Sequence, residues 1–219
     1  SQRTNHHLLL IFGHFLMLSL DVSSKVFYTG YNTCKELSAH DFIIFWRFPH
    51  MSEIHLDFYP TDKTELYSLL IEQVKALTDG EDHIVPNLAN TSALLFDALT
   101  EINWAGFYTV ETDPETGKDY LLLGPFQGKT ACIRIPSGRG VCGTAMATGK
   151  IQLVKNVHKF PGHIACDSAS NSEIVLPLKK NGNVVAVLDI DSPKFERFDE
   201  ADKNGLQNIV NILEKACAF

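Results

Sequence analysis

The feature of the sequence that most restricts its fold is a strand hairpin near the carboxyl terminus. Strand-like runs cover residues 173–178 and 184–191, and the Asn181-Gly182 dipeptide between them is typical of a tight turn. Strands joined by so short a turn run antiparallel, because parallel strands need a long crossover connection. Further strand-like runs precede the hairpin at residues 102–110, 119–126, 130–135 and 151–154. The sequence therefore predicts an antiparallel sheet.

Helical patterns flank these strands. Asp62-Lys-Thr-Glu65 has the form of a capping box, and the helix that it starts should stop at Asp79-Gly80. A second helical pattern covers residues 88–99, a short one covers residues 141–147, and the last begins near Asp199. Helices gathered on the faces of an antiparallel sheet predict an α+β fold with one central sheet. The sequence lacks both the dinucleotide-binding pattern G-x-G-x-x-G and the phosphate-binding pattern G-x-x-x-x-G-K-[ST].

Length and charge narrow the class of protein further. The chain has 219 residues, which suits one globular domain or one domain with an appendage. Its formal net charge is −7, and a nucleic-acid-binding protein usually shows a basic surplus instead. Five cysteines are an odd number without a paired framework, which favours a reducing compartment.

The composition changes near Met51, and the first fifty residues look unlike the rest. Residues 8–20 form an apolar run that is too short to span a bilayer. Its length suits the core of a signal peptide, but His14 interrupts it and no A-x-A-like cleavage site follows. We expect residues 1–50 to be an extra segment outside the folded core, with one domain over residues 51–219. A signal or anchor and a real extra subdomain are the alternatives.

The cysteines are the first candidates for chemistry. Cys217 lies on the apolar stripe of the last helix, which indicates packing, and Cys34 falls in the doubtful first segment. Cys166 lies in a polar loop, where a thiolate can be reached by a substrate. Cys132 is predicted on a strand, on the same face as Arg134.

A zinc site is an alternative role for Cys166 and the histidines near it. His158 and His163 lie close to Cys166 in the sequence, but no C-x-x-C or H-x₃₋₅-H pair accompanies a cysteine pair. We therefore expect no metal.

The acidic residues of the hairpin are the second candidates. Strand alternation places Asp189 and Asp191 on one face, although an isolated D-x-D is often only a solvent-facing edge. A plain two-residue turn would set Glu173 opposite Ile190 and point it away from both aspartates. An odd-length loop, or a bulge near Pro177, would set Glu173 opposite Asp191 instead. We therefore predict one of these irregularities.

The motifs of residues 57–219 resemble those of the free methionine-R-sulfoxide reductases, which are single GAF-domain enzymes. The matching segments occur in the family's order and are together highly specific. They are Ile102-Asn-Trp-Ala-Gly-Phe-Tyr108, Leu123-Gly-Pro-Phe-Gln-Gly128, Gly138-Arg-Gly-Val-Cys-Gly-Thr-Ala145, Pro161-Gly-His-Ile-Ala-Cys-Asp167, Ser172-Glu-Ile-Val-Leu-Pro177 and Leu188-Asp-Ile-Asp191. Residues 1–50 have no counterpart in the pattern.

The resemblance implies a cytosolic enzyme that reduces free methionine-R-sulfoxide without a cofactor, with thioredoxin as electron donor. It implies no nucleic-acid or membrane partner and leaves a homodimer open. By position, Cys166 corresponds to the catalytic cysteine, Cys132 to the resolving cysteine, and Cys142 to a third cysteine with an auxiliary resolving role. The positions that match the substrate pocket are Trp104, Tyr108, Glu173, Asp189 and Asp191.

The implied chemistry suits these residue types. A thiolate attacks the sulfoxide sulfur while an acid protonates or hydrogen-bonds its oxygen, and the resulting sulfenic acid condenses with a second thiol to a disulfide. A reducing dithiol protein reopens that bond by exchange. The competing interpretations are a sensory GAF module that binds a ligand without turnover, and a redox-sensing switch. A switch would use the same cysteines but needs neither the acids nor the aromatic residues.

Overall fold

The computed structural model describes residues 59–163 and 168–219, together with the backbone of four strands between residues 8 and 37. The chain divides into two compact units, Ser1–Met51 and Ser52–Phe219. In the first unit the four strands pair in chain order as an antiparallel sheet. They are β1 (Leu8–Phe12), β2 (Leu16–Leu20), β3 (Val26–Gly30) and β4 (Thr33–Leu37).

The second unit contains helices and strands in the order that the sequence predicts. Its helices are α1 (Lys63–Thr78), α2 (Ile84–Ala98), α3 (Gly140–Thr148) and α4 (Glu200–Ala216), with a 3₁₀ turn at Val157–Lys159. Its strands are β5 (Trp104–Thr112), β6 (Asp119–Gly128), β7 (Arg134–Pro136), β8 (Gln152–Val154), β9 (Ser172–Lys180) and β10 (Asn183–Ser192). Along the described parts of the chain, no helix combines the length and apolar character needed to cross a membrane.

The six strands of this unit form one antiparallel sheet in the order β7-β6-β5-β10-β9-β8. Helices pack on both faces, so the predicted α+β fold is confirmed. The first helix is capped by Asp62, whose side chain accepts hydrogen bonds from the backbone of Thr64 and Glu65. At the start of α4 the cap is reciprocal, because Asp199 and Asp202 each accept from the other's backbone N–H.

One predicted strand is shorter than expected. β7 begins only at Arg134, so Cys132 lies in an irregular segment before it, and the prediction that Cys132 is on a strand is wrong. Ile133 is 68% exposed, so the predicted alternation fails there. The preceding carbonyl, that of Lys129, accepts a hydrogen bond from the indole of Trp104. This contact joins the irregular segment to the aromatic ring of β5.

The hairpin of β9 and β10 contains the irregularity that the sequence predicts. Its loop is the plain two-residue turn, since Lys180 pairs with Asn183. The register then shifts by one between Val184 and Ala186, so a bulge is confirmed and the odd-length loop is wrong. The extra residue lies on β10, whereas the sequence prediction placed the bulge near Pro177 of β9, which pairs regularly with Val187. Beyond the bulge, Glu173 lies opposite Asp191.

The two faces of the sheet differ in what covers them. One face packs against α1, α2 and α4 in a large apolar core. Strand residues of this core that are fully buried include Phe107, Ile174, Leu176, Leu188 and Ile190. The other face carries a smaller cluster beneath the short helix α3, and this face holds the candidate site.

Candidate active site

Two buried acids meet in the middle of the α3-covered face. The bulge sets Glu173 of β9 and Asp189 of β10 on one side of the sheet, and each is only 6% exposed. Burial raises the pKa of Glu173 well above its usual value of 4.5, and the charges of Asp189 and Asp191 add to this effect. Burial likewise raises the pKa of Asp189. Both shifts favour retention of a proton on this pair of carboxyl groups.

Cys142 completes this cluster from the first turn of α3. Its thiol donates to Glu173 Oε1 across 3.8 Å, and the side chain is buried. Burial, followed by the charges of Asp189 and Glu173, raises the pKa of the Cys142 thiol well above its usual value. Because only the thiolate is a good nucleophile, Cys142 is held in its unreactive form.

Aromatic rings form one wall of the pocket. Trp104 and Tyr108 project from β5 on the same face as the acids, with ring centroids 5.8 Å apart. Phe126 stacks on the other side of Trp104 at 5.2 Å. Gly106 lies between Trp104 and Tyr108 along β5. A Cβ at this position would come within 2.8 Å of the Trp104 ring and 2.3 Å of the Phe126 Cβ. The absence of a side chain at Gly106 thus permits the aromatic wall.

A helix amino terminus forms the opposite side of the pocket. The residues from Arg139 to Cys142 line it, and the N-cap residue Arg139 makes no side-chain capping hydrogen bond. The start of α3 is pressed against β7, since a Cβ at Gly143 would lie 2.5 Å from the Pro136 carbonyl oxygen. Free N–H groups and the helix dipole make this end favourable for an anion.

Cys132 and Cys166 are the other two cysteines of the predicted site. Cys132 is half-buried and disulfide-bonded, while Cys142 and Cys217 are free thiols. Cys166 lies outside the described residues. The described pocket-lining residues that flank it in the sequence are His163 and Ser170.

The structure thus brings together most of the side chains predicted from the sequence. Trp104, Tyr108, Cys142 and the three acids line one pocket, and the neighbours of Cys132 line it too. Sequence reasoning did not select several other lining residues, which are Thr130, Ile135, Arg139, His163 and Ser170. The sequence does point to Arg139, because it lies just before the helix that is predicted over residues 141–147. Thr130 and Ser170 had none, because only the folded sheet brings their loops together.

His163 is the most distinctive of these additional residues. Its Nδ1 is buried and has no hydrogen-bond partner among the described residues. Burial, and secondarily the neighbouring His158, lowers the pKa of the His163 imidazole. His163 therefore presents a neutral ring to the pocket at neutral pH.

Comparison with known proteins agrees with this geometry. A family model described as GAF domain matches residues 86–216. The free methionine-R-sulfoxide reductase of Escherichia coli (strain K12) is 55% identical over 157 residues, which cover 72% of this chain and 92% of that protein. Protein YtsP of Bacillus subtilis (strain 168) is 53% identical over 164 residues, covering 75% of this chain and 98% of the relative.

A solved structure supports the same assignment. The X-ray structure of free methionine-R-sulfoxide reductase from Neisseria meningitidis in complex with its substrate superimposes with a TM-score of 0.69. The two sequences are 46% identical, and the match covers 74% of this chain and 94% of that one. The chain therefore belongs to the free methionine-R-sulfoxide reductase family of GAF-domain oxidoreductases.

Proposed function

We propose that this chain reduces free methionine-R-sulfoxide to methionine, with thioredoxin as its reductant and the cytoplasm as its compartment. The observation that carries the proposal is one pocket in which a proton-holding acid pair faces an aromatic wall. A sulfoxide needs a proton donor at its oxygen, and its S-methyl group needs an apolar surface. Neither a ligand sensor nor a redox switch requires a proton donor and an apolar surface in the same pocket.

Each end of the free amino acid has a suitable neighbour in the pocket. The S-methyl group would rest on Trp104 and Tyr108. The half-buried carboxylate of Asp191 suits the ammonium group, and it shares the sheet face of the buried acids. The substrate carboxylate suits Arg139 and the amino terminus of α3. A peptide-bound methionine has neither free charge, so this lining favours the free amino acid.

The reaction would begin at Cys166. Its thiolate attacks the sulfoxide sulfur while the acid pair of Glu173 and Asp189 delivers a proton to the oxygen. The sulfur–oxygen bond of the substrate breaks and the oxygen passes to Cys166, so that methionine leaves as the reduced thioether and Cys166 is oxidised to a sulfenic acid. The thiol of Cys132 then condenses with it, releasing water and forming a disulfide. Thioredoxin supplies two electrons and two protons to restore both thiols.

The electrostatics support Cys132 over Cys142 as the resolving residue. The buried carboxylates disfavour the thiolate of Cys142. Cys132 is half-buried, and the segment that carries it lines the pocket through Thr130 and Ala131. Its existing disulfide is what the oxidised enzyme would contain. We propose Cys166 as its partner.

The decisive experiment is an assay of free methionine. Purified protein is incubated with racemic methionine sulfoxide, thioredoxin and its recycling system. We expect the R epimer alone to be consumed. Cys166→Ser should abolish turnover, and Cys132→Ser should retain one stoichiometric turnover without thioredoxin-dependent recycling. Cys217→Ser is the matched control, because that buried thiol lies in the other core and should leave turnover intact.

Two results would overturn the assignment. Full recycling by the Cys166→Ser protein would remove Cys166 as nucleophile. Peptide mapping after one turnover should find Cys132 linked to Cys166, and a Cys142–Cys166 link in its place would reverse the roles of the resolving cysteines.

We also propose that the activity resides in residues 51–219. The family model matches residues 86–216, which lie within the second compact unit, and residues 1–50 lack the family's motifs. A chain that begins at Met51 should keep its melting temperature and its turnover. A large loss of either would show that the first unit contributes to the enzyme.

A further inference from the structure

The cluster beneath α3 has a composition that the reductase chemistry leaves partly unexplained. It combines one thiol, of Cys142, with the carboxyl groups of Glu173 and Asp189. One potential ligand atom from each residue lies within 4.8 Å of the other two, and all three side chains are buried. Reduction of a sulfoxide uses the acids, but it does not require a buried, unreactive thiol beside them.

A second observation concerns Asp189. Its Oδ1 is buried, and it has no hydrogen-bond partner among the described residues. The side chain lines the pocket and is 6% exposed. Cys142 and Glu173 hydrogen-bond to the Asp189 carboxyl group, but no donor in the described ranges reaches Oδ1, so this oxygen favours a further donor or a cation.

The spacing of the ligand atoms fits a tetrahedral metal. In such a site, zinc lies about 2.3 Å from sulfur and about 2.1 Å from a carboxylate oxygen, which places sulfur and oxygen about 3.6 Å apart. The Cys142 Sγ and Glu173 Oε1 atoms are 3.8 Å apart, close to this value, and the Asp189 ligand atom lies within 4.8 Å of both residues' ligand atoms. The pocket leaves room for a fourth, exchangeable ligand such as water.

The ligand types decide which metal is favoured. Magnesium and calcium prefer oxygen ligands alone, and a thiolate makes the site poor for both. One sulfur with two oxygens suits Zn²⁺, and Co²⁺ accepts the same set as a spectroscopic substitute.

We propose that Cys142, Glu173 and Asp189 bind Zn²⁺ reversibly, and that the bound ion excludes the substrate from the pocket. A zinc–sulfur bond and two zinc–oxygen bonds form, and the protons of the thiol and of the acid pair pass to solvent. No atom changes oxidation state. The metal is an inhibitor here, not a cofactor. Exclusion of substrate rests on the proposed function, whereas metal binding does not.

The test uses the full chain with the disulfide of Cys132 intact, so that this sulfur cannot ligate metal. Titration with Co²⁺ should produce a thiolate-to-cobalt charge-transfer band in the near ultraviolet, at one equivalent. Cys142→Ser should lose that band. Cys217→Ser and Cys34→Ser should keep it, which identifies the sulfur.

Zinc affinity is then measured by competition with a chromophoric chelator. Loss of a residue that only orients a metal ligand costs about 10- to 100-fold in affinity, so Cys142→Ser and Asp189→Asn should each weaken binding by more than about 100-fold. His83→Ala is the matched control, because Glu81, Asp82 and His83 form an exposed cluster elsewhere that could also hold a metal. This variant should keep the tight site.

Absence of the charge-transfer band from the wild-type protein would overturn the proposal, whatever the folding of the variants. So would an unchanged zinc affinity in folded Cys142→Ser protein, checked by circular dichroism. Methionine-R-sulfoxide should raise the apparent dissociation constant for Zn²⁺, and an unchanged constant would overturn the exclusion of substrate. If Cys142-dependent binding occurs in a protein without reductase activity, only the proposed function fails. Reductase activity without Cys142-dependent metal binding would overturn only the proposed metal site.

Discussion

The two faces of the six-stranded sheet are made by alternate residues of the same strands, yet they have opposite properties. On β10, Leu188 and Ile190 are fully buried in the apolar core, whereas Asp189 between them belongs to the polar cluster. On β9, Ile174 and Glu173 show the same contrast. The comparison shows that one sheet can separate stability from chemistry by strand alternation, with a single bulge to bring Glu173 onto the same face as Asp189.

The covering helices explain why the faces differ. The apolar face is closed by α1, α2 and α4, which have 16, 15 and 17 residues. The other face is covered by α3, which has 9 residues. A short helix leaves part of its face open, and that opening is the pocket. The large core offsets the cost of burying Glu173 and Asp189 near each other.

The largest of these effects should come from replacing Glu173, a buried acid on the face of the sheet that α3 covers. Glu173→Gln preserves the shape of the side chain but cannot give a proton. Loss of a general acid costs about 10²- to 10⁴-fold in rate, so kcat should fall by that factor. Glu111→Gln, at the exposed end of β5, is the control and should leave kcat unchanged. An unchanged kcat in the Glu173 variant would remove this residue from the proton transfer.

The matching change on the apolar face should act on stability instead. Leu188→Ala truncates a fully buried side chain next to Asp189, and such changes cost about 2–5 kcal/mol of unfolding free energy. Urea denaturation measures the loss. The folded fraction should keep its kcat, since Leu188 points away from the pocket. A loss of kcat without a loss of stability would contradict the separation of the two faces.

A glycine on the site face tests packing with a smaller expected effect. Gly106→Ala places a Cβ where Phe126 and Trp104 already lie. Overpacking of this kind costs about 1–3 kcal/mol, and displacement of Trp104 should raise KM. Gly124→Ala is a milder comparison, because the nearest atom to its Cβ is the Phe107 carbonyl oxygen at 3.0 Å. Equal effects at both positions would show that the ring stack does not depend on Gly106.

Much of this contrast could be predicted from the sequence. Helical spacing and capping residues placed the helices, because those signals are local. Strand alternation placed Asp189 and Leu188 on opposite faces. The constraint that Glu173 must share a face with Asp191 predicted an irregular hairpin. These inferences used only distances along the chain, and the structure confirms them.

The rest depended on contacts between distant segments. The bulge lies at Val185, and only the folded sheet fixes its position. The alternating residue types around Cys132 predict a strand, but regular pairing begins only at Arg134, after a segment whose Lys129 carbonyl bonds to the Trp104 indole. The place of Cys142 beside the acids follows from the packing of α3, which its sequence does not encode locally.

The last prediction concerns pH, and it follows from the raised pKa of Glu173. The unfolded chain releases this proton near the usual value of 4.5, while burial and then the charges of Asp189 and Asp191 make the folded protein keep it to higher pH. Between those two values the folded state binds more protons than the unfolded state, so the free energy of unfolding falls as pH rises. The contribution of Glu173 to stability is therefore complete below about pH 4.5 and is lost as pH rises through the folded pKa. The slope approaches about 1.4 kcal/mol per pH unit for one proton.

Glu173→Gln removes this proton linkage and should flatten the dependence. Relative to the wild-type protein, the variant should gain stability steadily as pH rises above the usual pKa of 4.5, measured by urea denaturation at each pH. Leu188→Ala is the control, because it should lower the whole curve without changing its slope. Parallel curves for Glu173→Gln and the wild-type protein would show that Glu173 is ionised in the folded state. Its loss of activity would then need an explanation other than a missing proton. A flattened curve together with a reduced kcat would show that the buried carboxyl group of Glu173 lowers stability at alkaline pH and also serves the reaction. That combination is a trade-off between stability and activity at one residue.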